Sequence, residues 1–220
     1  MSYILDGYNW DLTDPGSIPN LLIAHISITF VSVLIGLAIA FPLAFLVARF
    51  KHLYLPTVTT AGILYTIPSL ALFALLIPFT AFSQATVLIP LVIYTQVVLI
   101  RNIVAGIRAV DPQLVEVGRA MGMNSWQLQW RVVLPLAMPV IIAGIRVVTV
   151  TTIGIATLAP WVGTEDLGTL MYQGFNFARS DMEAAGTILV IALAVAADLL
   201  LLGVQAALSR GQRVNALSEA

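Results

Sequence analysis

Residues 114–135 read LVEVGRAMGMNSWQLQWRVVLP. Long apolar runs flank this stretch, yet it carries Glu116, Arg119 and Arg131 within two amphipathic segments. It follows Asp111-Pro112, a good N-cap and a good first helical residue. Val110, Leu114, Val117 and Met121 recur at helical spacing, with Glu116 and Arg119 off that stripe. Gly122 can end this helix, and Asn124 with Gln127 resembles a capping box that starts another. The pattern predicts two short helices joined at a glycine, lying across a membrane surface rather than through it, in an insert over 111–131. Two uses fit such a hairpin. It can rest in the headgroups, or it can present a docking surface to a soluble partner.

The chain has 220 residues, 60% of them hydrophobic and 10% charged, with a mean hydropathy of +0.98. A soluble domain is nearer about half apolar and about a quarter charged. The surplus lies in long runs, so it cannot all be a buried core. An all-α integral membrane protein follows, because helices satisfy their own backbone in lipid. A crossing needs about 20 apolar residues, and five stretches qualify, near 21–47, 56–79, 85–107, 133–162 and 184–208. The fourth is long enough to tilt or to begin before the lipid. No internal repeat or linker stands out, so 1–220 reads as a single transmembrane domain. The first twenty residues hold three aspartates and no Lys or Arg, unlike a secretory signal with its basic start. There are no cysteines, which removes disulfides and thiolate chemistry and leaves the redox compartment open.

Charge sets the direction. Arg49, Lys51, Arg101, Arg108, Arg119, Arg131, Arg210 and Arg213 cluster at one set of span ends. Asp6, Asp11, Asp14, Glu165, Asp166, Asp181 and Glu183 lie at the other, with Arg179 the lone basic residue there. Basic loops mark the cytoplasmic side. The N-terminus is then outside and the C-terminus inside, which requires an odd number of spans and agrees with five. The insert between spans three and four falls on the cytoplasmic side.

Polar residues at lipid depth usually face the bundle or a water-filled cavity. Tyr65, Ser69, Tyr94, Gln96, Thr149 and Thr152 are therefore candidates for a translocation path, although Ser and Thr also bond their own helix. Pro68 and Pro90 interrupt spans two and three and can bend them. Arg146 and Asp198 sit at equal depth on spans four and five, each about 15 Å from the cytoplasmic end. Opposite charges at one depth are expected to pair, which offsets the cost of burying either. His25 reads as a hydrogen-bonded residue near the outer interface. With His25 and His52 alone and no cysteine, no metal centre is expected.

The spacing of the insert resembles the EAA motif of ABC-importer permeases: EAA, three residues, G, nine residues, I, one residue, LP. Glu116, Gly122, Leu134 and Pro135 fall in register, while Val117, Gly118 and Val132 replace two alanines and an isoleucine. The stretches YTIPSLALF at 65–73 and TTIGIATLAPWVGTEDLG at 151–168 look like the permeases of glycine betaine, choline and carnitine importers. This likeness covers roughly residues 20–210, on a methionine-importer-like fold. Thr164-Glu165-Asp166 depart from it, since the family commonly has small residues and glycines there. The resemblance implies that Glu116, Val117, Gly118, Gly122, Leu134 and Pro135 couple the bundle to an ATPase. It implies two copies of that ATPase chain, a second permease chain, an extracytoplasmic solute-binding protein, and residence in the lipid of a bacterial or archaeal inner membrane, without nucleic acid.

The chain itself carries no P-loop, which needs GxxxxGK[ST], and its one lysine is Lys51 followed by His52. ATP is then used by the partner, and no cofactor is expected on this chain. An importer of another small solute, such as an amino acid, remains an alternative. An ion-coupled carrier is a further one, although five unrepeated spans lack the paired broken helices common there. Neither a GxSxG nor an HExxH signature supports an intramembrane enzyme.

Overall fold

The computed structural model describes residues 2–218, with side chains described over 3–209. Every regular element among them is helical. Helix α1 spans Ile18–Arg49. Helices α2 (Tyr54–Thr66) and α3 (Ser69–Thr80) follow, then α4 (Ala85–Arg108) and α5 (Pro112–Ala120). Helix α6 runs over Ser125–Ala156, α7 over Gly168–Asn176 and α8 over Ser180–Ser218. Four of these, α1, α4, α6 and α8, are long and apolar enough to cross a membrane, and α2 with α3 makes a fifth crossing if the bent pair counts as one.

That pair corrects the second span, read above as continuous over 56–79. The chain bends by 91° between α2 and α3. The cause is local. Pro68 has no N–H to give, and it forces the preceding residue out of the helical region. Ile67 accordingly sits at φ −66 and ψ 128. Pro90, by contrast, does not interrupt its helix, and neither do Pro42 and Pro139 in theirs. The fourth span also ends earlier than expected: α6 stops at Ala156, and 159–162 form a separate 3-10 turn. Nor is the insert's second helix free-standing. Ser125–Leu128 passes through a π turn at Gln129–Val133 straight into the spanning part of α6. Helix α7, between spans four and five, was not expected. Arg210 and Arg213 lie outside the described side chains.

Helix α4 is the axis of the bundle and the most buried of the four long helices. Its Leu99, Ile100 and Ile103 pack with Ala40, Ala44 and Val47 of α1 and Ile141 and Val148 of α6. A second cluster, with Phe73, Val87 and Leu91, fills the half toward the acidic end, and Ile18, Leu21, Leu167 and Leu170 close that end. Lipid tails are as apolar as these side chains, so close approach rather than hydrophobic burial holds the helices together. Gly36 of α1 lies against Thr95, and Gly144 of α6 lies against Asn102, with no room for a Cβ at either.

Replacing Gly36 by leucine is expected to separate α1 from α4 and cost about 1–3 kcal/mol as overpacking does. Gly203, whose Cβ would meet nothing within 4 Å, serves as the control. Thermal unfolding in detergent should show a lower midpoint for Gly36→Leu and little change for Gly203→Leu.

Candidate functional site

The insert is built from consecutive caps. The Asp111 carboxylate accepts from the Gln113 N–H at 2.9 Å and opens α5 on Pro112. Helix α5 closes at Gly122, whose φ of +81 is the left-handed value that favours glycine. Gly122 N–H donates to Arg119 O at 2.9 Å and Met123 N–H to Gly118 O at 3.1 Å, the two bonds of a Schellman turn. Asn124 then starts α6. Its side chain accepts from Gln127 N–H at 2.9 Å, and its own N–H donates to the Gln127 side chain at 3.0 Å. The turn between the helices is thus fixed by four hydrogen bonds rather than by packing alone.

Gly118 has a second role. A Cβ there would come within 2.7 Å of Leu128 Cδ1, so the glycine lets α5 close onto α6. Glycine weakens a helix by about 1 kcal/mol relative to alanine, and here it permits that approach. The outer stripe is left uncovered: Val117 is 56% and Met121 73% exposed, and Glu116 is exposed beside them. Beyond the turn, Leu134 N–H bonds Gln129 O in the π turn. Pro135 explains why the ladder slips here. It has no N–H for the carbonyl four residues back, and the wider turn absorbs the gap at the joint between insert and span.

Deeper in the bundle, the structure brings Arg146 and Asp198 together. Nε and Nη2 of Arg146 each donate to one Asp198 oxygen at 2.9 Å. Nη1 donates to Gln205 Oε1 at 2.8 Å, and the Gln205 amide donates to Pro139 O at 3.0 Å. Sequence reasoning missed Gln205. Its signal was its place seven residues after Asp198, two turns along the same face. The network ties α6 to α8 and leaves both charged side chains only partly covered.

The expected path residues divide into two groups. Tyr65, Ser69 and Tyr94 gather at the bend between α2 and α3. The Tyr65 ring is exposed and stands edge-on to Tyr94, with centroids 5.7 Å apart. The Tyr94 hydroxyl donates to Ile67 O at 2.7 Å. Gln96 instead packs between helices, donating to Val92 O at 3.0 Å and Gly36 O at 3.3 Å. Thr152 is buried, and the Thr149 hydroxyl bonds Ile145 O of its own helix at 2.8 Å.

This arrangement has counterparts among known proteins. The family described as the binding-protein-dependent transport system inner membrane component matches residues 32–214. The chain belongs to this family. It is similar to the carnitine transport permease protein OpuCB of Listeria monocytogenes, 37% identical over 79% of this chain and 80% of the relative. The osmoprotectant import permease protein OsmW of Salmonella typhimurium is 34% identical, over 93% of this chain and 98% of its own. The choline transport system permease protein OpuBB of Bacillus subtilis is 35% identical, over 80% and 82%. Among solved structures, an inward-facing MetNI methionine ABC transporter matches at a TM-score of 0.77 and 22% identity, covering 87% of this chain and 95% of that one. The protein is thus a multi-pass ABC-importer permease without an ATPase site of its own, and the ATPase is a separate chain.

One feature of this permease was not legible as a pair. His25 of α1 and Asp166, in the loop before α7, are both fully buried, with Nδ1 2.9 Å from Oδ2. His25 Nε2 lies 3.1 Å from Ile153 O, and the other Asp166 oxygen accepts from Gly168 N–H at 2.7 Å. Facing a carbonyl, Nε2 must carry a proton. Nδ1 and Oδ2 have no other hydrogen-bond partner, so a single proton between them satisfies both. Burial pushes the Asp166 carboxyl above the usual carboxylate range, against the pull of His25 and the Gly168 N–H. A carboxyl raised in the folded state favours the fold most below its ordinary value. That contribution is lost as the pH climbs through the raised one.

Amide protection over 159–176, corrected for intrinsic exchange, should therefore strengthen as the pH falls toward the ordinary carboxylate range. Asp166→Asn is expected to flatten that trend in hydrogen-exchange mass spectrometry. For the other pair, Asp198→Asn should lower the unfolding temperature, and the exchanged pair Arg146→Asp with Asp198→Arg should recover part of the loss.

Proposed function

We propose that this chain is the inner-membrane permease of an ATP-driven importer for a quaternary-ammonium osmoprotectant such as carnitine, choline or glycine betaine. The relatives' named solutes carry this reading: a carnitine permease, a choline permease and an osmoprotectant permease match along most of their length. In the proposed topology the acidic end faces outward and the basic end inward, in accord with the charge asymmetry. One of two ATPase chains docks on the insert and the other on a second permease chain, which completes the path, and an external binding protein delivers the solute.

The observation that supports coupling is continuity. The exposed stripe of α5 is joined by a fully capped turn to α6, which runs from the insert into the bundle without a loop. A push on Glu116, Val117 or Gly122 then reaches α6 through Gly118, the π turn, Leu134 and Pro135. On the solute side, the bend at Pro68 breaks a span beside two tyrosines. Aromatic faces attract quaternary ammonium groups by about 0.5–1 kcal/mol when exposed. Such an affinity suits passage rather than storage, which is the binding protein's task.

The test is reconstitution with the partner chains in vesicles. Glycine betaine with its binding protein should stimulate ATP hydrolysis, and uptake should persist when ion gradients are collapsed. Stimulation by an amino acid instead, or uptake that needs the gradient and not ATP, would sink this reading. Gly122→Val forces a branched side chain into the left-handed region and should abolish uptake while the chain still inserts. Tyr65→Ala should lower the transport rate about two- to fivefold, and Tyr65→Phe should restore most of it.

A further inference from the structure

At the basic end, α1 and the first turns of α6 do not close against each other. Between them lies a groove of 810 Å³. Arg49 and Arg119 both line it, with no carboxylate lining it among the described residues. Among the described residues neither arginine has a salt-bridge partner, and Arg49 lies beside the Phe50 ring, 5.9 Å from its centroid. Trp126 and Trp130 form one wall, their rings 5.2 Å apart, and both are exposed. The floor is apolar and runs up α1 through Leu46 and Phe45 to Pro42. From Arg49 to Pro42 is about 10 Å of helix at 1.5 Å per residue.

We propose that this groove holds an anionic phospholipid, its phosphate between Arg49 and Arg119 and one acyl chain along the α1 floor. Each part of the groove matches one part of that molecule. Guanidinium forks suit phosphate oxygens. Paired tryptophans sit at headgroup level, where an apolar ring meets water. The floor reaches the depth of hydrocarbon, where a soluble partner does not go. Arg119 and Trp126 belong to the two halves of the insert and Arg49 to α1. A headgroup between them braces the insert against the bundle, so the lipid would act as a third support for it beside the Schellman turn and the π joint.

The proposal is tested on the full chain in vesicles, in a background with Trp10→Phe and Trp161→Phe so that Trp126 and Trp130 give the signal. Brominated phosphatidylglycerol and brominated phosphatidylcholine are compared as quenchers. Half-quenching is expected at about a tenfold lower mole fraction of phosphatidylglycerol, with the preference shrinking as salt rises. Equal quenching by the two lipids overturns the proposal. R49Q/R119Q should remove the preference; a preference that survives in it places the lipid elsewhere and is equally fatal. If that variant does not insert, the headgroup and salt comparisons in the parent decide alone. Dissolved glycerol 3-phosphate that relieves the quenching would mean that a free phosphate is the ligand. Loss of the preference on assembly with the ATPase would assign the groove to that protein. Either result overturns the lipid assignment. None of these outcomes bears on whether transport is driven by ATP.

Discussion

In hydrocarbon, a backbone carbonyl or N–H released from a helix finds no water, so each break in a span must be satisfied from within. The two most informative places in this chain are such breaks. At Pro68 the helix parts by 91°, and the carbonyl released at Ile67 is taken by the Tyr94 hydroxyl from α4. At Pro135 the ladder slips into a π turn, which keeps a donor on Gln129 O across the irregular residues. Both breaks come from proline chemistry, and both are repaired by structure that the sequence supplies nearby. One lies beside the tyrosine pair and the other at the joint of the insert. Irregular backbone is tolerated at membrane depth where it is buried in protein or lines a water-filled cavity.

Rigidity is distributed to match. Around the insert it comes from directed hydrogen bonds: the Asp111 cap, the Schellman turn at Gly122 and the Asn124–Gln127 box. Within the bundle it comes from contact distance, with Gly36 and Gly144 letting α1 and α6 close onto α4. An element fixed by directed bonds transmits rotation, because its parts cannot roll past one another as apolar side chains can. Helix α6 has both kinds of support, at its first turn and along its length, and so connects the exposed stripe of α5 to the middle of the bundle.

The sequence made local chemistry legible where one residue dictates one conformation. Asp111-Pro112, Gly122 and Asn124 with Gln127 each specify a cap, and each cap is found. The meeting of Arg146 with Asp198 could be read from helix rise alone. Features that depend on a partner distant in sequence were harder. Pro68 and Pro90 look alike in sequence, yet the helix breaks at only one of them. Asp166 looked like a surface acid in an acidic loop, and His25 lies 141 residues before it by number. Asp166 is held by Gly168 N–H and Thr169 at the start of α7, whose nine residues are too few for a strong periodic signal. The fourth span was drawn too long because 157–162 are as apolar as the helix before them, and composition does not register where the ladder stops.

The two buried or half-buried charge pairs complete the mechanical picture. His25 and Asp166 fasten the loop before α7 to α1, near the acidic end. Arg146, Asp198 and Gln205 fasten α8 to α6, and through Pro139 O they hold α6 just above its proline joint. Breaking one member of a buried pair leaves a charge or a donor uncompensated, so such links resist partial opening more than apolar contacts do. Helices α1, α6 and α8 with the loop before α7 are therefore linked as one framed unit. The bent pair α2–α3 is the exception. It is held to α4 by hydrogen bonds from Tyr94 to Ile67 O and between the Thr80 and Thr86 hydroxyls, by Arg108 over the Tyr54 ring, and by Val58 and Phe73 in the core, with no ion pair among the described residues.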